Sequence, residues 1–170
     1  MEKKPYPGSR VQPFISAGLL VLSLAVFAIF SSGDVVVQAL LLVIFASLTF
    51  SVAIFPQYTE FTGMAGALVK DGVARAKVTK GIRRFLPLLS LLMVLLVAPI
   101  LILVVAPPAL FLGSLMGIIA GFAAFQLVFT VYIRNWERVK SLRVSRYQLV
   151  SEDERGKRIV TEYGLRAERT

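Results

Sequence analysis

Residues 109–133 read Ala-Leu-Phe-Leu-Gly113-Ser-Leu-Met-Gly117-Ile-Ile-Ala120-Gly121-Phe-Ala-Ala124-Phe-Gln126-Leu-Val-Phe-Thr130-Val-Tyr-Ile133, with no charged side chain before Arg134. A helix rises about 1.5 Å per residue, so this run is long enough to cross a hydrocarbon core of about 30 Å. Its apolar residues occupy every face, which excludes the alternation of a membrane β-barrel strand. A helix is the form that satisfies its backbone where water is absent.

Working outward, three more segments meet the same test: about 11–30, 35–55 and 85–106. The second is expected to end against Pro56. The first follows a basic start (Lys3, Lys4, Arg10) but is followed by Ala28-Ile-Phe-Ser-Ser-Gly33, which has no clear small-x-small cleavage pair, so a retained helix is the reading. The fold class is therefore an all-α integral membrane protein with four transmembrane helices arranged as two helical hairpins. Residues 1–133 form the membrane domain, with a basic cytoplasmic loop over 56–84, and residues 134–170 form a cytoplasmic tail.

The chain has 170 residues, 56% of them apolar, a net charge of +9 and a mean hydropathy of +0.75. Its Lys and Arg residues fall before the first span, between the second and third, or after the fourth. The connections Ser31-Ser-Gly-Asp34 and Pro107-Pro108 carry none. Basic residues near span ends stay on the cytoplasmic side. Both termini and the central loop are accordingly expected in the cytoplasm, in the plasma membrane of a prokaryote. Tyr6, Tyr58, Tyr132 and Trp136 fall near that face, where amphipathic rings prefer to sit.

The most specific local pattern is GxxxGxxxG at Gly113, Gly117 and Gly121, widened by Ala120 and Ala124. Residues four apart share a helix face, and small ones let a second backbone approach closely. The partner is open: another helix of this chain, a second copy or another subunit. Pro87 lies in the first turn of the third span, whereas Pro99 lies in its middle and is expected to kink it.

The loop is expected to be partly helical, with Met64, Leu68, Val69, Val73 and Ala76 on a weak apolar face. Lys70, Arg75, Lys77, Lys80, Arg83 and Arg84 would contact anionic headgroups or a cytosolic partner, at about 1 kcal/mol per basic residue near anionic lipid. In the tail, residues 134–142 continue the fourth helix, and Tyr147–Val150 and Arg158–Tyr163 resemble two strands around the polar turn 151–156. An isolated hairpin is marginal in water, so the tail would pack on the loop, join a partner's sheet or stay unfolded.

Chemistry is constrained by what is missing. The chain has no Cys and no His, which excludes disulfides, Cys/His zinc sites and Ser-His or Cys-His nucleophiles. The spans contain no ionisable residue of the kind that marks ion paths and proton relays. Gln38, Gln126 and Thr130 are the candidates for a polar pocket. No catalytic residue, metal or cofactor is expected. The positive charge is spread over one membrane side, not gathered on a groove-entering element, so nucleic acid is not an expected partner. The leading expectation is a non-catalytic scaffold or accessory subunit, a homo- or hetero-oligomer with other membrane proteins. A small oligomeric channel or permease for an uncharged solute is the alternative, and an insertase- or chaperone-like helper a weaker one.

Overall fold

The structure, a computed structural model, describes residues 2–7, 11–31, 33–75, 93, 95, 97–105, 108–152 and 158–169. In chain order the elements are β1 (Glu2–Pro5), α1 (Gln12–Phe30), α2 (Val35–Asp71), β2 (Val73–Arg75), α3 (residues 97–105), α4 (Pro108–Lys140), β3 (Leu142–Glu152) and β4 (Arg158–Arg169). The fold is mostly helical with one small sheet. Among the described residues three helices are long and apolar enough to cross a membrane: α1, α2, and α4 from Leu110 onward. Much of the expected third span lies outside the described residues. Of it, residues 93, 95 and the whole of α3 are helical, and Pro99 is buried inside α3.

The helix that carries the expected second span does not stop at Pro56. Helix α2 runs through Pro56 and continues to Asp71. An interior proline removes the donor that would meet the Val52 carbonyl and costs about 3 kcal/mol. The turns beyond it offset that cost, because Phe61, Met64 and Leu68 lie at i, i+3 and i+7 and are all buried. Full burial of such side chains contributes about 1.5–3 kcal/mol each. The apolar face is therefore 61/64/68. Val69 and Val73, expected on it, are exposed, and Ala76 lies outside the described residues.

Local chemistry sets the helix ends. Asp34 caps α2, its Oδ1 accepting the Val37 N–H at 3.3 Å. At the other end Gly72 takes a left-handed conformation (φ 69°), and its N–H bonds the Leu68 carbonyl at 3.2 Å. That is a glycine C-terminal cap. The Gly72 carbonyl then accepts the Ala167 N–H at 2.8 Å, which turns the chain directly into β2.

The described chain divides into two compact units. The first comprises residues 13–56 and 80–128, and its described elements are helices. Its burial pattern differs from that of a protein in water. Ser16, Ser23, Gln38, Thr49 and Ser114 are buried together with Phe45, Leu95, Ala120, Ala123 and Phe125, while Phe14 is 77% exposed and Ile29 74%. In water large apolar residues go inside and polar ones outside. Hydrocarbon around the unit removes that preference, so polar and apolar side chains share the interior and large apolar ones also face outward.

The second unit comprises residues 1–12, 57–79 and 129–170. Its sheet has the order β1-β3-β4-β2 with every neighbouring pair antiparallel. The two strands expected in the tail are present and longer than the sequence suggested. They pair from Leu142↔Arg169 to Glu152↔Arg158, with an irregularity at Leu149/Val150. The tail packs on the loop, as one of the three expectations had it: β2 pairs with β4 through Ala74↔Leu165. The N-terminal strand β1 adds to β3 through Lys3↔Tyr147, a pairing the sequence did not suggest. Two added edge strands widen the hairpin to the three or more strands that independent stability needs. Phe61, Leu68, Ile133, Val144 and Leu165 form the buried core of this unit.

Candidate functional site: a close helix contact and an aromatic cluster

The glycine run of α4 faces α2. A Cβ on Gly113 would lie 2.6 Å from the Gln38 carbonyl oxygen, and one on Gly117 would lie 2.5 Å from that of Leu42. One on Gly121 would come closer still to that of Ala46. Three glycines spaced by four thus meet three α2 residues spaced by four. The partner left open by the sequence is this chain's own second helix. Ala120 is buried on the same side, and Ala124 is partly buried. Residue numbers rise together along both helices, so α2 and α4 run parallel.

Helix α1 joins this pair through one polar contact. The Ser16 hydroxyl donates to Gln126 Oε1 at 2.9 Å, linking residues 110 positions apart. Four further hydroxyls of the unit bond to their own helix: Ser23 to the Leu20 carbonyl, Thr49 to Phe45, Ser51 to Ser47 and Ser114 to Phe111. Such bonds satisfy a hydroxyl where water is absent.

The three residues suggested for one polar pocket are not brought together as a set. Gln38 is buried beside Gly113, whereas Gln126 lies thirteen positions further along α4, about 20 Å at helical rise. Gln126 is engaged by Ser16. Thr130 is buried in the second unit. Of the loop cations, Lys70 is exposed at the end of α2 and Arg75 stands in β2. Lys77, Lys80, Arg83 and Arg84 lie outside the described residues.

In the second unit the aromatic side chains form a cluster that the sequence reading had treated as separate interfacial anchors. Phe61, fully buried, is its hub. Its ring stacks on Tyr6 (6.1 Å, 13°) and meets Tyr132 (6.0 Å, 84°) and Trp136 (5.2 Å, 85°) edge to face. Tyr6 also meets Phe129 edge to face at 6.1 Å, and Tyr58 meets Tyr132 at 5.4 Å. Such pairs contribute about 0.5–1.5 kcal/mol each beyond their buried area. The Arg146 guanidinium sits 5.8 Å over the Tyr6 ring, a cation–π contact from β3. Burial pushes the Tyr6 phenol up to about 12, with the Glu60 carboxylate adding to the rise and Arg146 opposing it.

Phe61, Phe129 and Arg146 were not singled out from the sequence. The available signal was the spacing Tyr58/Phe61 on one helix and Phe129/Tyr132/Trp136 on another, which puts each set on one face. Tyr6 holds the N-terminal segment to both sets. The arrangement joins the N-terminal segment, α2 and α4 through ring contacts, with the Glu60 carboxylate and the Arg146 guanidinium as charged neighbours of Tyr6. Among the described residues no group of three acidic, His or Cys side chains is placed to hold a metal.

No known protein family, no curated protein and no solved structure matches this chain.

Proposed function

We propose that this chain is a non-catalytic integral membrane subunit, a scaffold or accessory component of a membrane assembly. The observation that carries this reading is the use made of polar groups in the helical unit. The hydroxyls named above are taken up by their own helix or by Gln126, while large apolar side chains face outward. That pattern supports a packing role over a path for solutes, since Gln126, one of the two glutamines suggested for a polar pocket, already accepts from Ser16. It also supports packing over an insertase-like role, which needs a hydrophilic groove.

We infer four crossings, with both ends and the loop in the cytoplasm. Parallel packing of α2 and α4 supports the fourth crossing. Gln38 and Gly113 lie at the same end of the pair, so a chain that leaves α2 at its far end must return before Pro108. The expected third span, with α3 near its end, is the segment available for that return. The confinement of all 19 Lys and Arg residues to one set of connections supports the orientation. With no native cysteine, Ser31→Cys and Lys140→Cys report it directly. An impermeant maleimide on intact cells labels the first and spares the second, and the reverse pattern overturns the topology.

Native electrophoresis after mild detergent extraction tests the subunit reading. A species larger than one chain, holding a second polypeptide or further copies, is the expected result. A stable monomer with no companion overturns it.

A further inference from the structure

We propose that the hollow on α4 lined by Val131, Tyr132, Arg134, Asn135 and Arg138 holds the phosphate headgroup of an anionic phospholipid. The hollow has a volume of about 360 Å³. Positions 131, 134, 135 and 138 recur at helical spacing, so their side chains share one side of α4. Val131 is 66% exposed, and Arg134, Asn135 and Arg138 are exposed beside it.

Neither arginine has an ion pair with a described residue. The acid between them in sequence, Glu137, is engaged elsewhere, its Oε1 accepting the Val144 N–H at 2.6 Å. Two cations four apart on a helix repel each other, and a shared anion turns that repulsion into attraction. Arg138 lies in the last turn of α4, where the helix dipole favours a cation. Arg134 lies a turn earlier, beyond the reach of that account.

Two guanidinium forks and the Asn135 amide make a donor set matched to phosphate oxygens. The apolar side of the hollow, Val131 and the Tyr132 ring, adjoins the point where the uncharged run of α4 ends at Ile133. A soluble phosphate has nothing to place against those groups, whereas a phospholipid has its glycerol and upper acyl carbons. The occupant is therefore a lipid headgroup. The proposal rests on the helices crossing a bilayer and not on the subunit reading.

Native mass spectrometry of the detergent-solubilised chain, offered equal phosphatidylglycerol and phosphatidylcholine, tests it. The wild type is expected to retain phosphatidylglycerol preferentially by about tenfold, the scale of one charge-assisted hydrogen bond. The Arg134→Gln/Arg138→Gln double variant loses that preference, and Arg169→Gln, at the exposed end of β4, keeps it. A double variant with undiminished preference overturns the site. Displacement of the lipid from wild type by an equal concentration of glycerophosphoglycerol overturns the lipid assignment in favour of a soluble phosphate. A chain that retains neither lipid also overturns the site, while the bilayer reading is tested separately by the cysteine labelling above.

Discussion

The Ser16 hydroxyl and the Gln126 side-chain oxygen meet at 2.9 Å, and this bond joins α1 to α4. Interhelical hydrogen bonds in membrane proteins contribute roughly 0.5–2 kcal/mol, because the separated helices find other partners. Ser16→Ala and Gln126→Leu are each expected to lower stability by about 1 kcal/mol. Made together they should cost less than the sum, as both remove the same bond. Thermal unfolding in detergent measures the cycle. Strict additivity would show that the contact carries no energy.

Gly117 gives the sharpest steric prediction. A methyl group there would lie 2.5 Å from the Leu42 carbonyl oxygen, and backbone cannot move aside as a flexible side chain does. Gly117→Ala should destabilise the helical unit by about 1–3 kcal/mol, and Gly117→Leu should do more. Gly63→Ala is the control, since a Cβ there meets nothing within 4 Å. Alanine at 63 should leave the melting temperature unchanged or raise it, as alanine favours a helix interior.

The Tyr6 phenol predicts an alkaline limit. Its ionisation is pushed up from 10 to about 12, so the folded state prefers the neutral form. A group raised in the folded state contributes stability that is complete below its unfolded value. That contribution is lost as pH climbs through the folded value. The second unit should therefore weaken between pH 10 and about 12, by an amount on the order of 2–3 kcal/mol. Absorbance titration should show one phenol ionising near the upper figure, absent in Tyr6→Phe. That variant should also flatten the pH dependence of stability over the same interval.

Phe61 should dominate the aromatic cluster. It is fully buried and touches Tyr6, Tyr132 and Trp136. Phe61→Ala removes these contacts and leaves a cavity, at an expected cost of about 3–5 kcal/mol. Phe61→Leu should recover much of that by keeping volume. Trp136 fluorescence reads both, and an unchanged emission in Phe61→Ala would contradict the ring contact.

Ser141 ends α4 in a left-handed conformation, φ 50°, before β3 begins. A non-glycine residue there costs roughly 1–2 kcal/mol, partly cancelled in glycine by its greater chain entropy. Ser141→Gly is expected to stabilise the second unit by about 0.5–1 kcal/mol in a denaturant titration. A loss of stability would show that the serine side chain supports the turn.

Much of the helical unit was legible before any coordinates, because hydrophobic length and glycine spacing are local properties of a chain. The uncharged runs 11–30, 35–55 and 109–133 had to become helices in the absence of water, and Gly113, Gly117 and Gly121 had to admit a backbone. Which backbone it is was not legible. Gln38, Leu42 and Ala46 carry no mark that distinguishes them from other four-spaced residues, and only packing pairs the two rows. The same holds for Pro56, where a local rule predicted an end. The burial of Phe61, Met64 and Leu68 outweighed the lost hydrogen bond.

The amino-acid order by itself determined the class of environment, through charge placement and apolar run length, and it determined the two strands of the tail. Tertiary structure alone decided that the N-terminal segment, the end of α2 and the tail share one sheet, and that Tyr6 lies between Phe61 and Phe129. The physical reason is range. A helix satisfies its backbone within four residues, so its signal is written in neighbouring positions. An edge strand such as Glu2–Pro5 finds its partners 140 or more positions away, at Ser145–Gln148, and nothing within its own residues records that pairing.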